Sequence, residues 1–182
     1  MERILEKSRA VESRLFETSW WREAHTLFCF VSLPREVQTI GIRRRAHSEG
    51  MTVALPRVVG DQIRFHRVAH PEEPLVRSAL NIEEPSPELP YVEPSTILPG
   101  AVDRPAAALV DGSSLVLVPG LAFDRRRYRL GRGRGFYDRF LGQWGRTIRA
   151  VGLCFEEQLV EVVPHERWDM RMDAVLTDAG ET

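Results

Sequence analysis

Residues 115–141, LVLVPGLAFDRRRYRLGRGRGFYDRFL, constrain this chain more than any other stretch, because they dictate a buried strand, a basic glycine loop and a helix start in succession. Leu115-Val116-Leu117-Val118 is an unbroken apolar run with two β-branched residues, closed by Pro119-Gly120. Such a run suits a strand covered on both faces, and so a parallel sheet. In Arg129-Leu130-Gly131-Arg132-Gly133-Arg134-Gly135 glycine alternates with arginine, so the backbone can take positive φ and approach a ligand while guanidinium groups surround it. That is the make-up of an anion site. Phe136-Tyr137-Asp138-Arg139-Phe140-Leu141 then restores apolar spacing at i and i+4, which predicts a helix whose first N–H groups face the anion. Asp138, on this basic background, is a candidate to hold a metal ion bridging phosphate oxygens. The loop is neither a Walker A sequence, which needs Gly-Lys-Ser/Thr, nor the dinucleotide GxGxxG.

A chain of 182 residues is the size of one domain with a real core, and a single domain over 1–182 is expected. Its net charge of −1 gives no global pull toward nucleic acid or membrane, so the basicity is local. Lys7 is the only lysine, so arginine alone is a weak functional sign. Cys29 and Cys154 sit far apart in apolar runs and read as buried thiols of a reducing compartment. No signal-peptide pattern and no membrane-length apolar run is present, so a cytoplasmic protein without a membrane partner is expected.

In chain order, residues 2–16 carry apolar side chains at helical spacing among charges, and Ser19 is a candidate cap for a short turn bearing Trp20 and Trp21. Residues 27–31 read as a buried strand, 37–49 as a helix with Gly50 at its C-terminus, and 52–56 as the next strand. That βαβ unit predicts an α/β fold of three αβα layers around a mainly parallel open sheet, with chemistry at the carboxyl ends of the strands. Residues 62–68 alternate as a half-exposed strand. Eight of the twelve prolines fall between Pro71 and Pro105, so residues 71–108 read as a long Pro-rich loop or insertion. Residues 148–155 and 174–177 are further strands.

Taken whole, PGLAFD followed by RLGRGRGFYDRFL resembles the signature of the 5-formyltetrahydrofolate cyclo-ligase family, whose members carry RLG-x-G-x-G-[FY]-YD. Further motifs arrive in family order from around Trp20 onward: FVSLPREVQT (Phe30 to Thr39), VALPRV (Val53 to Val58), NIEEP (Asn81 to Pro85) and VPHERWDMRMDAVLT (Val163 to Thr177). The resemblance implies ATP- and Mg-dependent closure of 5-formyltetrahydrofolate to 5,10-methenyltetrahydrofolate. It implies ATP contacts from Arg129, Leu130, Gly131, Arg132, Gly133, Arg134, Gly135, Phe136 and Tyr137, with Arg132 and Tyr137 taking part in catalysis. By the same resemblance Asp138 and Asp169 hold magnesium, while Val31 and Glu36 meet the reduced folate in one pocket.

Three departures accompany it. The family's initial helix with a Lys-x-x-x-Arg pattern would lie upstream of this chain's start, and Arg3 and Lys7, with the order reversed, are given no phosphate role. That absence raises an alternative, an impaired relative that binds nucleotide and folate without turnover. The family's glycine two residues before Arg-Leu-Gly is here Arg127, and residues 86–108 look inserted, at a place suited to a lid.

Other constellations fall away. His66 and His70 stand four apart, but Pro71 rules out the helical metal pair, and His25, His47 and His165 have no ligand spacing. No nucleophile elbow is present. Arg134-Gly135-Phe136-Tyr137 begins like an RNA-recognition signature and then fails, because Asp138 stands where an aromatic residue is needed.

Overall fold

The computed structural model describes residues 2–79, 81–94, 113–144 and 147–182. In chain order the elements are α1 (Glu2–Glu17), α2 (Ser19–Glu23), β1 (Ala24–Phe28), α3 (Ile40–Ser48), β2 (Thr52–Val59), β3 (Gln62–Val68), β4 (Leu75–Arg77), β5 (Glu83–Pro85) and β6 (Tyr91–Val92). They continue with β7 (Ser113–Val118), β8 (Ala122–Asp124), β9 (Arg129–Leu130), α4 (Phe136–Trp144), β10 (Ile148–Leu153), β11 (Leu159–Val160) and β12 (Ala174–Leu176). The central sheet runs β12-β10-β7-β1-β2-β3-β6. Its first five strands are parallel neighbours, and β3 and β6 add an antiparallel edge.

Strand alternation divides the apolar residues between two cores. Leu27, Leu115 and Leu117 face Val11 and Leu15 of α1, Trp21 of α2 and Ile42 and Ala46 of α3. Phe28, Val116 and Val118 face the other way, toward Phe140, Leu141 and Trp144 of α4. The result is the expected three-layer αβα order. On the α4 side Phe65 lies edge-on to Phe28 at 5.0 Å and 4.8 Å from Phe140, so aromatic contacts fix where α4 begins relative to the sheet.

Helix α1 docks by a contact no local pattern shows. The Glu12 carboxylate lies against Gly41, where a Cβ would be 2.3 Å from Oε1, and against the Ile42 N–H at the start of α3. Burial pushes this carboxyl up, while Arg9 and the Ile42 N–H pull the other way.

Several expectations need correction. The short turn is capped by Thr18, whose Oγ1 accepts the Trp21 N–H at 3.2 Å, and not by Ser19. Helix α3 starts at Ile40 and not at residue 37, because the Gln38 N–H donates to Ser8 Oγ on α1 and Thr39 Oγ1 to the Phe30 carbonyl. The Pro-rich segment is not one long loop: β4, β5 and β6 lie within it, and residues 95–108 fall outside the described residues.

Candidate active site

The glycine loop leaves β9 and enters α4, whose first residue, Phe136, directly follows Gly135. Gly133 and Gly135 have φ of +79° and +63°, values that side chains with a Cβ rarely adopt. The loop's backbone N–H groups from Arg132 to Gly135 donate to nothing among the described residues, which leaves them for an anion at the start of α4. Arg139 ties the loop down from α4, its guanidinium donating to the Arg134 carbonyl at 2.7 Å and to Asp61 O.

The turn before the loop is built by Asp124, which is fully buried at the end of β8. Burial pushes its carboxyl up, but the Val163 and Tyr128 N–H groups, each at 3.0 Å, and the Arg126 guanidinium outweigh that and hold it below the usual range. Arg127 takes φ +72°, the left-handed conformation suited to the glycine that the family carries there, so the turn is kept despite the substitution. Its guanidinium is held by the Asp173 carbonyl. Phe123, also on β8, lies so close beneath the turn that a Cβ on Gly120 or Gly152 would come within 2.6 and 2.4 Å of its ring. Those two glycines answer a need for close approach, whereas Gly133 and Gly135 answer a backbone angle.

A cavity of about 880 Å³ opens over the loop. Arg129, Leu130, Gly131, Arg132, Gly133, Arg134, Gly135, Phe136, Asp138 and Asp169, all singled out from the sequence, line it. Five other lining residues, Ile82, Arg139, Gly142, Pro164 and Trp168, had no role assigned. Trp168 is 62% exposed, large for an aromatic ring, with the Arg167 guanidinium over it, and it lies between two charged residues, where apolar periodicity gives no signal. The segment carrying Asp169 is docked by stacking of His165 on Tyr128 at 3.7 Å and by the Met170 N–H, which donates to Asp138 Oδ1 at 3.3 Å.

The charged residues divide into two states. Arg132 has a 59% exposed side chain and a single loose contact, 3.4 Å to Glu36 Oε1, and Arg134 is exposed. Arg129 is different. Its side chain is 6% exposed, it pairs with Asp138 at 2.7 Å, and it lies over the Tyr137 ring. The Tyr137 hydroxyl is buried with no hydrogen-bond partner, which pushes the phenol far up. Asp169 accepts the Glu166 N–H through Oδ2 at 2.7 Å.

The two residues assigned to the folate lie in separate cavities. Val31 lines one of about 610 Å³ with Ile4, Leu5, Leu33, Arg77 and Ile82. Glu36 lines a cleft of about 70 Å³ with Arg129, Gly131 and Arg132, and its Oε2 accepts the Leu33 N–H at 2.9 Å. Lys7 pairs with Glu157 and Asp178. Among the described residues no trio of His, Cys, Asp and Glu could hold a metal by itself, and no helix is long and apolar enough to cross a membrane.

Comparison with known proteins bears on the same residues. Residues 1–178 match the 5-formyltetrahydrofolate cyclo-ligase family, so the likeness takes in α1 and is not confined to the chain from Trp20 onward. A probable 5-formyltetrahydrofolate cyclo-ligase of Caenorhabditis elegans is 27% identical over 190 residues, covering 100% of this chain and 85% of that protein. The 5-formyltetrahydrofolate cyclo-ligase of Escherichia coli K12 is 32% identical over 159 residues, 85% of this chain and 78% of its own length. Among solved structures, a 5,10-methenyltetrahydrofolate synthetase of Aquifex aeolicus superposes with a TM-score of 0.74 at 27% identity, covering 99% of this chain and 82% of that one. A Mycoplasma pneumoniae synthetase shares the fold with a TM-score of 0.69 at 20% identity.

Proposed function

The chain belongs to the 5-formyltetrahydrofolate cyclo-ligase family, a family of enzymes, and from that premise we propose that it closes 5-formyltetrahydrofolate to 5,10-methenyltetrahydrofolate using ATP. The observation that carries the reading is the basic glycine loop at the start of α4, facing a nucleotide-sized cavity that meets a second ligand-sized cavity at Ile82. An impaired binding protein finds no support in the comparisons, whose family and named relatives are cyclo-ligases.

In this reading the free N–H groups of the loop, with Arg132 and Arg134, take the phosphates of ATP. The formyl oxygen forms a bond to the γ-phosphorus as the β,γ-bridge breaks and ADP leaves. N10 then attacks the formyl carbon, loses its proton, and the phosphate departs with the former formyl oxygen. No protein nucleophile is needed, because phosphoryl transfer depends on positioning and charge neutralisation. Arg129, paired with Asp138 and lying over the Tyr137 ring, would hold Asp138 in place at the cavity wall, while the Tyr137 hydroxyl, buried without a partner among the described residues, lines none of the described cavities.

The donor set fits magnesium. Asp138 and Asp169 line one cavity, and that ion is commonly held by one or two carboxylates with phosphate oxygens and water completing the shell. When bound it would neutralise charge between donor and acceptor oxygens. Asp138 would then share its carboxylate between the ion and Arg129.

The test is the near-ultraviolet absorbance of the methenyl product, which should rise when the purified protein meets 5-formyltetrahydrofolate, ATP and magnesium. No product under those conditions sinks the reading.

A further inference from the structure

Glu84 is a buried ionisable group that the proposed chemistry leaves unused. It is 2% exposed, on the short strand β5. Its Oε1 accepts the Val58 N–H of β2 at 3.2 Å, while Oε2 has no hydrogen bond and only the Arg57 guanidinium at 3.6 Å. Arg57 in turn donates to the Pro85 carbonyl at 2.8 Å. Taking a carboxylate out of water costs several kcal/mol and is repaid in full only with excellent geometry, which this pair lacks. An apolar residue would serve stability as well, so the carboxylate points to a need for placement.

What it places is the β4–β5 hairpin. Leu75 to Arg77 pair with Glu83 to Pro85, and the connection is closed by Ser78 N–H to Ile82 O and Asn81 N–H to Ser78 O, both at 2.9 Å, with Asn81 at φ +59°. The hairpin is a two-stranded sheet of its own, separate from the central sheet, and Glu84 and Arg57 fasten it to β2 from β5. Two residues before Glu84, half-buried Ile82 lines the 880 Å³ cavity beside the glycine loop and also the 610 Å³ cavity beside Val31. Among the described residues no other lines both of these cavities.

We propose that the β4–β5 hairpin is the common wall of the two substrate pockets, that Ile82 is touched by nucleotide on one side and by folate on the other, and that Glu84 is the positioning residue that holds it there. The proposal rests on the functional reading above and adds to it a shared contact. In-line transfer requires the γ-phosphate and the formyl oxygen to meet with little tolerance, so a wall common to both ligands sets their distance. A strand pinned by a buried carboxylate keeps its side chains in one register where an apolar contact would let them slide.

Calorimetric titration of the full chain with magnesium-ATP and, separately, with 5-formyltetrahydrofolate tests this. Ile82→Ala should weaken both ligands roughly tenfold, the scale of one or two lost methylene contacts. Glu84→Ala should weaken both to a similar degree, the double variant should be no worse than either single one, and Glu84→Gln, which keeps the acceptor for Val58, should restore wild-type binding. A Glu84 acting only on stability would lower the melting temperature without moving either affinity, and would add to Ile82→Ala. Either of those results overturns the proposal, as does an Ile82→Ala variant that loses one ligand or neither. Should Glu84→Ala fail to fold, the Ile82→Ala titrations decide alone. Wild type that binds neither ligand overturns the functional reading itself; wild type that binds both, with unaltered variants, overturns only the shared wall.

Discussion

Two loops face the site, and they are built on opposite plans. In residues 31–39 side chains satisfy the backbone: Ser32 Oγ meets the Val37 carbonyl at 2.8 Å and the Thr39 N–H at 2.9 Å, Thr39 Oγ1 donates to the Phe30 carbonyl at 2.8 Å, and Gln38 bonds the Leu33 and Glu36 carbonyls. In residues 131–135 the N–H groups and two guanidiniums point outward, and the loop is held by its glycine angles and by Arg139 beneath it. The first loop is complete without a ligand. On the proposed function the second awaits a phosphate, so damage to the first should appear as lost stability and damage to the second as lost ATP binding.

The largest effect should come from the one place where that division fails. Asp138→Asn should lower turnover by at least about 100-fold, the scale of removing one group that stabilises transferring charge. The sequence alone suggests that the fold would not notice; the structure corrects this, because Asp138 is the partner of a nearly buried Arg129. Leaving that guanidinium with a neutral amide should cost about 1–3 kcal/mol, read as a lower melting temperature. An unchanged melting temperature would restore the clean division.

Arg132→Ala and Arg134→Ala should each weaken ATP binding by about 1.5–3 kcal/mol in calorimetry, the range for hydrogen bonds to charged groups. Their melting temperatures should not move, since both side chains are exposed and the Glu36 contact of Arg132 is a loose surface pair. Thr39→Val reverses the pattern. It leaves the buried Phe30 carbonyl with only the weak Cys29 thiol donor and should cost about 1–2 kcal/mol of stability in urea titration while leaving ATP affinity unchanged. A Thr39→Val protein with native stability but weak ATP binding would contradict the comparison outright.

The smallest effect concerns the approach to the glycine loop. Arg127→Gly relieves a left-handed side-chain conformation, a gain of about 1 kcal/mol, but frees the unfolded chain and gives up the bond to Asp173. The net change in melting temperature should be within about a degree or two, since these terms nearly cancel and a full kcal/mol is worth only a few degrees at this size. Turnover should not change.

Much of this was legible in the sequence because it is written in short-range terms. Apolar runs separated by turn residues gave the parallel strands of the central sheet, the glycine–arginine alternation gave the loop, and the apolar spacing after Gly135 gave the start of α4. The boundaries of α3 and the cap of α2 were misread where polar side chains had two possible uses, as with Thr18, Ser19 and Thr39. The Pro-rich texture after Pro71 masked strands of two or three residues, too short to show a period.

By itself, then, the sequence determined the order of the helices and of the parallel strands of the central sheet, and the chemical character of the glycine loop, since periodicity, β-branching and positive φ act within a few residues. Only the tertiary structure decided that Arg129 is consumed by Asp138 while Arg132 and Arg134 stay outside, that Val31 and Glu36 fall in different cavities, and that Ile82 lies against two of them. Those outcomes depend on which side chains packing brings together across tens of residues, and on how much water each is left with, neither of which a local pattern of residue types encodes.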